Sequence, residues 1–154
     1  MSVARICSRT VDLVDAGETI QAAACRMRDR DVGLLVVVDR SARPLGIVTD
    51  RDLSIRALAD GHDPETPVER VMTAQPRTIA DEAPIESALS VMAFGGVRRL
   101  PVVNRAGTLV GIIALDDVMS LVSEELKLVG SLLSHQMPCG QETHGGATRP
   151  STGH

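Results

Sequence analysis

The segment Gly46-Ile47-Val48-Thr49-Asp50-Arg51-Asp52 has residue types and spacing suited to binding chemistry. An apolar strand-like run ends at Val48, so Thr49 falls at a strand-to-helix junction and Asp52 in the first turn of the helix that follows. Both side chains then point at one spot. A carboxylate offers two acceptor oxygens to the hydroxyls of a ribose, while a hydroxyl and the free N–H groups of a helix start suit a phosphate. Together they match a nucleotide's sugar and its first phosphate. The competing reading is a helix cap with a dipole-compensating acid. A later copy of the pattern argues against it: Ala114 replaces the threonine there, yet Asp117 is retained, so the acid does not merely accompany a cap.

Arg98-Arg99 stands at the entry to an apolar run, where the earlier copy has Gly33-Leu34, so a strand does not need it. Two uses fit a pair of guanidinium groups, forked phosphate contact and a solvated surface pair. Of the four histidines, His135, His144 and His154 lie at or beyond the last helical pattern and His62 lies in a loop, so no Ser/His/Asp or Cys/His set can be assembled. The expectation is a protein that is not an enzyme. His135, Cys139 and His144 match no strong metal-ligand spacing, so no metal is expected to be required.

The elements that must position these residues come from a duplication. Residues 3–53 overlay 68–118 at a constant offset without a gap: Ile20, Ala23 and Met27 return as Ile85, Ala88 and Met92, and Leu35, Val37 and Val38 as Leu100, Val102 and Val103. Only two copies exist, which points to a half-domain closing on its copy rather than to a solenoid. Within each copy a brief alternation (Val11, Leu13, Val14) gives way to the i, i+3, i+4, i+7 face of an amphipathic helix. Pro84 fits its first turn in the second copy. A β-branched run at 34–38, a turn and Leu45-Gly46-Ile47-Val48 read as a hairpin. The next helical stretch, from Asp50, stops at Gly61, which suits a left-handed helix end. The unit is β-α-β-β-α. Thr66-Pro67-Val68-Glu69 reads as a capping box, and Met27, Met92 and Cys25 as core or near-core filling.

This order, the Leu100-Pro101-Val102-Val103-Asn104 strand and turn, and the Gly46 to Asp52 motif resemble a tandem pair of cystathionine-β-synthase-type (CBS) domains, the Bateman module, over roughly residues 3–125. The resemblance implies an α+β fold of two β-α-β-β-α units related by a pseudo-twofold axis, with unit one at 1–65 and unit two at 66–137. Apolar spacing extends the last helix of unit two, and from Pro138 Gly, Thr, Ser, Pro and His dominate without periodicity, so 138–154 is expected to be a disordered tail. It also implies a binding site built across the units. Ile47, Thr49, Arg51 and Asp52 would meet a base-holding segment at Thr73, Thr78, Val97, Arg98 and Arg99. A second, weaker site would combine Asp117 and Ile112 with Ser8, Leu13, Val32, Gly33 and Leu34. The implied regulatory ligand is an adenine nucleotide, with AMP, ADP, ATP, NAD and S-adenosylmethionine not distinguished.

Composition narrows the partners. The 154 residues are 44% hydrophobic, enough for one real core. A net charge of −4 and a single aromatic residue, Phe94, argue against nucleic acid, which favours a basic face and stacking platforms. The sequence has neither a membrane-spanning run nor a signal-peptide core, and three cysteines are too few and odd in number for a disulfide framework. A cytoplasmic protein is expected. The second helix of unit two continues through Val118, Leu121, Val122, Leu126, Val129 and Leu133. Its surplus apolar surface suits either the helix-paired homodimer that the resemblance implies or a fold-back over its own module. The expected role is a nucleotide-sensing regulatory module acting on a separate protein target; a ligand-free scaffold and a redox- or metal-responsive protein through Cys7, Cys25 or Cys139 are the alternatives.

Overall fold

Each copy of the repeat forms the expected elements at matching positions. In the computed structural model, which describes residues 1–136, the first copy runs β1 (Leu13–Asp15), α1 (Ile20–Arg30), β2 (Leu34–Val38), β3 (Pro44–Thr49) and α2 (Asp50–Asp52). Helix α2 continues as a π-helical stretch, Leu53–Leu58, where the Ala59 N–H donates to the Ser54 carbonyl at 3.1 Å. After a short strand β4 (Thr73–Ala74), the second copy runs β5 (Ile79–Ala80), α3 (Ile85–Gly95), β6 (Arg99–Val103), β7 (Leu109–Ala114) and α4 (Leu115–Gln136). The fold is α+β, with sheets ordered β1-β2-β3-β4 and β5-β6-β7. In both, the first pair is parallel across a helix and the hairpin pair antiparallel, with a register shift at Val37/Val38 and again at Val102/Val103. The expected tail, with Cys139, His144 and His154, lies outside the described residues.

The helices form for the reasons their spacing suggests. Thr19 caps α1 by accepting from the Ala22 N–H at 3.1 Å, and Ile20, Ala23 and Met27 are buried, as are Ile85, Ala88 and Met92 on α3. Pro84 is the residue just before α3 rather than its first. Helix ends use the left-handed region at matching positions, Asp31 (φ 53°) and Gly96 (φ 63°), and Gly61 (φ 70°) follows the π-helical stretch.

What the periodicity does not reveal is an exchange between the copies. The segment leading into each copy pairs with the sheet of the other. Thr73 pairs with Ile47 beside β3, and Ser8 forms the equivalent bridge with Ile112 beside β7. The Val68 and Glu69 N–H groups donate to the Glu18 and Ala16 carbonyls at 2.8 and 3.1 Å, mirrored by Val3 and Ala4 on Ala83 and Asp81, both at 2.8 Å. Each of these pairs recurs with both partners shifted by the repeat offset, which is the reciprocity a twofold relation requires. Val68 and Val71 accordingly join the core with Val14, Leu35, Val37 and Val48, and Val3 is fully buried.

The exchange explains two features. Gly46 and Gly111 sit where the exchanged segment crosses. A Cβ on Gly111 would stand 2.7 Å from the Ser8 carbonyl oxygen, and one on Gly46 would meet the Met72 side chain and lie 3.0 Å from the Thr73 oxygen. The capping box expected at Thr66-Pro67-Val68-Glu69 does not form. Val68–Arg70 is a single 3-10 turn preceded by Pro67 with no side-chain cap, because the N–H groups a cap would serve already donate to Glu18 and Ala16.

Residues Met1–Ser120 form one compact body and the stretch from Leu121 another. In the latter, the later turns of α4 carry Val122, Leu126, Val129, Leu132 and Leu133 exposed. No helix among the described residues is long and apolar enough to cross a membrane.

Candidate functional site

Thr49 ends β3 in an extended conformation (φ −114°, ψ 163°), and its hydroxyl accepts from the Asp52 N–H at 3.1 Å. In return Oδ2 of Asp52 accepts from the Thr49 N–H and from its hydroxyl, both at 2.9 Å. This is a complete capping box. Oδ1 faces Arg56 Nε at 3.6 Å, and Arg56 is itself tied to the Val71 and Met72 carbonyls and the Thr73 hydroxyl. At the matched position, Oδ2 of Asp117 accepts from the Ala114 N–H at 2.8 Å. Contrary to the expectation drawn from Ala114, the acid caps the helix in both copies, because it reaches the cap N–H directly and needs no hydroxyl beside it. Capping still leaves Oδ1 of Asp52 with acceptor capacity, since a carboxylate has about four lone-pair sites.

Asp52 opens onto a cleft of about 620 Å³, within the range of small-molecule sites. One wall is apolar, from Leu34, Ile47, Val97 and Leu100. The polar side carries the Thr49 and Thr73 hydroxyls, Gln75, and four arginines, Arg51, Arg77, Arg98 and Arg99. Asp52 is the only carboxylate among the described residues that line it. A chain of net charge −4 thus concentrates positive charge here. Arg98 meets Asp116 at 3.3 Å, an exposed pair worth little. Arg77 lies over the Phe94 ring, 5.2 Å from its centroid.

Of the residues expected at the nucleotide site, all except Thr78 line this cleft. Thr78 is exposed one residue ahead of β5 and lies outside it. Gln75, Pro76, Arg77, Gly95, Gly96 and Leu100 line it unforeseen, and so does Leu34, which was expected at the second site. The exchanged segment carries the first three across the cleft, with Gln75 in the left-handed region (φ 50°) and its N–H on the Leu45 carbonyl at 3.0 Å. The Gly95-Gly96 pair at a helix end was a signal that could have been read: a Cβ on Gly95 would stand 2.7 Å from Arg77 Cδ and Nε.

The residues expected at the second site separate. Val32, Gly33, Leu34 and Ile112 line a smaller cleft of about 270 Å³, together with Asp12, Asp31 and Arg99. Ser8 and Asp117 do not line it, and Leu13 instead faces a hollow beside Cys25 and Arg26. That hollow, about 740 Å³, and one of about 580 Å³ beside Asp81 and Arg105 rival the main cleft in volume. Both are more open to solvent and have less apolar wall, so volume alone does not identify the site.

A family model for the CBS domain matches residues 3–57 and 68–124. The CBS domain-containing protein YhcV of Bacillus subtilis (strain 168) is 37% identical over 128 residues, covering 82% of this chain and 90% of that one. The solved structure of a hypoxic response protein with two coordinated zinc ions superposes with a TM-score of 0.71 at 34% identity, covering 78% of this chain and 98% of the other. A CBS domain protein from Pyrobaculum aerophilum complexed with AMP superposes with a TM-score of 0.69 at 28% identity, covering 76% and 89%. The zinc-bound relative corrects one expectation. That no metal is required does not stand, because a metal site can be assembled from residues far apart in sequence, which the lack of a spacing template does not exclude. Among the described residues no three His, Cys, Asp or Glu side chains converge, so no ligand set is assigned.

Proposed function

Because this chain belongs to the CBS domain family, with two copies in tandem, we propose that it is a regulatory module that senses an adenine nucleotide or related adenosyl ligand. The observation that carries this reading is the main cleft, in which an apolar wall faces hydroxyls, one carboxylate and clustered guanidinium groups. The base lies against Leu34, Ile47, Val97 and Leu100, the ribose engages Oδ1 of Asp52, and the first phosphate meets Arg98, Arg99 and the Thr49 hydroxyl, which turns from Asp52 to donate to it. The AMP-bound relative supports the ligand class. The sequence units 1–65 and 66–137 both contribute, so a ligand bridges them and favours whichever arrangement it binds more tightly. A separate protein reads that arrangement. The second cleft, less than half the volume and holding two carboxylates, binds a phosphorylated ligand more weakly.

The reading is non-catalytic: no histidine, cysteine or serine is among the described residues lining the cleft, and the Thr49 hydroxyl and Asp52 carboxylate are engaged with each other in a helix cap. A scaffold whose cleft is filled by its own side chains is disfavoured by the open volume of about 620 Å³. The test is thermal unfolding with a panel of adenine, guanine and adenosyl compounds. A ligand at about 100 times its Kd adds about 2.7 kcal/mol, several degrees at about 2–4 °C per kcal/mol. No shift with any of them at millimolar concentration would refute the proposal.

A further inference from the structure

Arg77 is held in an uncommon way for a cation beside a binding cleft. Its guanidinium lies over the Phe94 ring rather than against an acid, and its stem runs across Gly95, where any Cβ would collide with it. Phe94 is the only aromatic residue of the chain and is 84% exposed, so the core gains nothing from it. A ring face orients a cation without cancelling its charge. Arg51 and Arg99 likewise have no ion-pair partner among the described residues. Four guanidinium groups, three of them not neutralised, thus face one carboxylate that already caps a helix. One terminal phosphate cannot engage four planar forks in bidentate geometry, whereas a chain of phosphates can spread over them.

We infer that the main cleft selects adenine ligands by the length of their phosphate chain, favouring di- and triphosphates over the monophosphate, with Arg77 on its Phe94 platform as the residue that sets this preference. The inference rests on the nucleotide reading above and adds the charge class of the ligand. A cationic ligand such as S-adenosylmethionine, whose sulfonium would enter this field, binds weakest.

Calorimetric titration of the full chain with adenosine, AMP, ADP, ATP, S-adenosylmethionine and inorganic triphosphate tests it. ADP or ATP should bind at least about tenfold more tightly than AMP, equivalent to about 1.4 kcal/mol. Arg77→Gln should bring that ratio close to one while changing AMP affinity by less than about threefold, since Arg77 is assigned a charge-assisted contact with the phosphates beyond the first. Phe94→Leu should reduce the ratio part of the way, and added salt should weaken ATP more than AMP. Equal affinities for AMP, ADP and ATP, or an Arg77→Gln loss shared equally by every ligand, would overturn the inference and leave the nucleotide reading intact. Arg77-dependent binding of triphosphate with no binding of any adenosine compound would uphold the polyanion preference and overturn the nucleotide reading. If nothing binds, both fall.

Discussion

Substitution of Asp52 separates capping from ligand binding, because the two roles use different oxygens. In the free chain Oδ2 accepts from the Thr49 N–H and hydroxyl, and the side chain is 15% exposed. Asp52→Ala removes this half of the capping box, at a cost of about 1–2 kcal/mol. At about 2–4 °C per kcal/mol for a chain of this length, the Tm should fall by about 2–8 °C. The loss of a charge-assisted contact from Oδ1 to the ribose costs about 1.5–3 kcal/mol, so nucleotide affinity should drop at least about tenfold. Asp52→Asn keeps an acceptor for the Thr49 N–H but no charge. It should recover most of the Tm and little of the affinity. Scanning calorimetry gives the first quantity and titration calorimetry the second, both on the full chain. Wild-type affinity in folded Asp52→Ala and Asp52→Asn, with only the Tm lowered, would refute the argument and leave Asp52 as a cap alone.

Gly111→Ala should displace the exchanged N-terminal segment, since the new Cβ would stand 2.7 Å from the Ser8 carbonyl oxygen; overpacking of this kind costs about 1–3 kcal/mol, and hydrogen exchange at Ser8 and Ile112 as slow as in the wild type would contradict it. Glu18 accepts two bonds from Arg26 and one from the Asp15 N–H, and the Arg26 hydrogen bonds hold its carboxyl below the usual range. Its contribution to stability is therefore complete above the ordinary glutamate value of about 4.3 and lost as pH falls through the lowered folded value; urea titrations from neutral pH to about 3 should show a shallower acid loss for Glu18→Gln, and identical slopes would count against this. Light scattering should report a homodimer, for the full chain and for one ending at Met137, given the exposed apolar residues of α4; a monodisperse monomer at micromolar concentration would count against the pairing.

The duplication, the β-α-β-β-α order and the helix faces carrying Met27 and Met92 were legible in the sequence, because they depend on local periodicity and on turn and cap residues acting within a few positions. So was the placement of Thr49 and Asp52 at one strand-to-helix junction. The tertiary structure alone decided which sheet each leading segment joins, and with it why Thr66 caps nothing, why Gly46 and Gly111 must lack a Cβ, and how Gln75 and Arg77 come to line the cleft. Reciprocal strand addition leaves no mark on hydrophobic period, since Val68 and Val71 read alike whichever core they enter. The cap roles of Asp52 and Asp117 were likewise decided by geometry, because only a measured distance tells which oxygen a carboxylate has committed and which it keeps for a ligand.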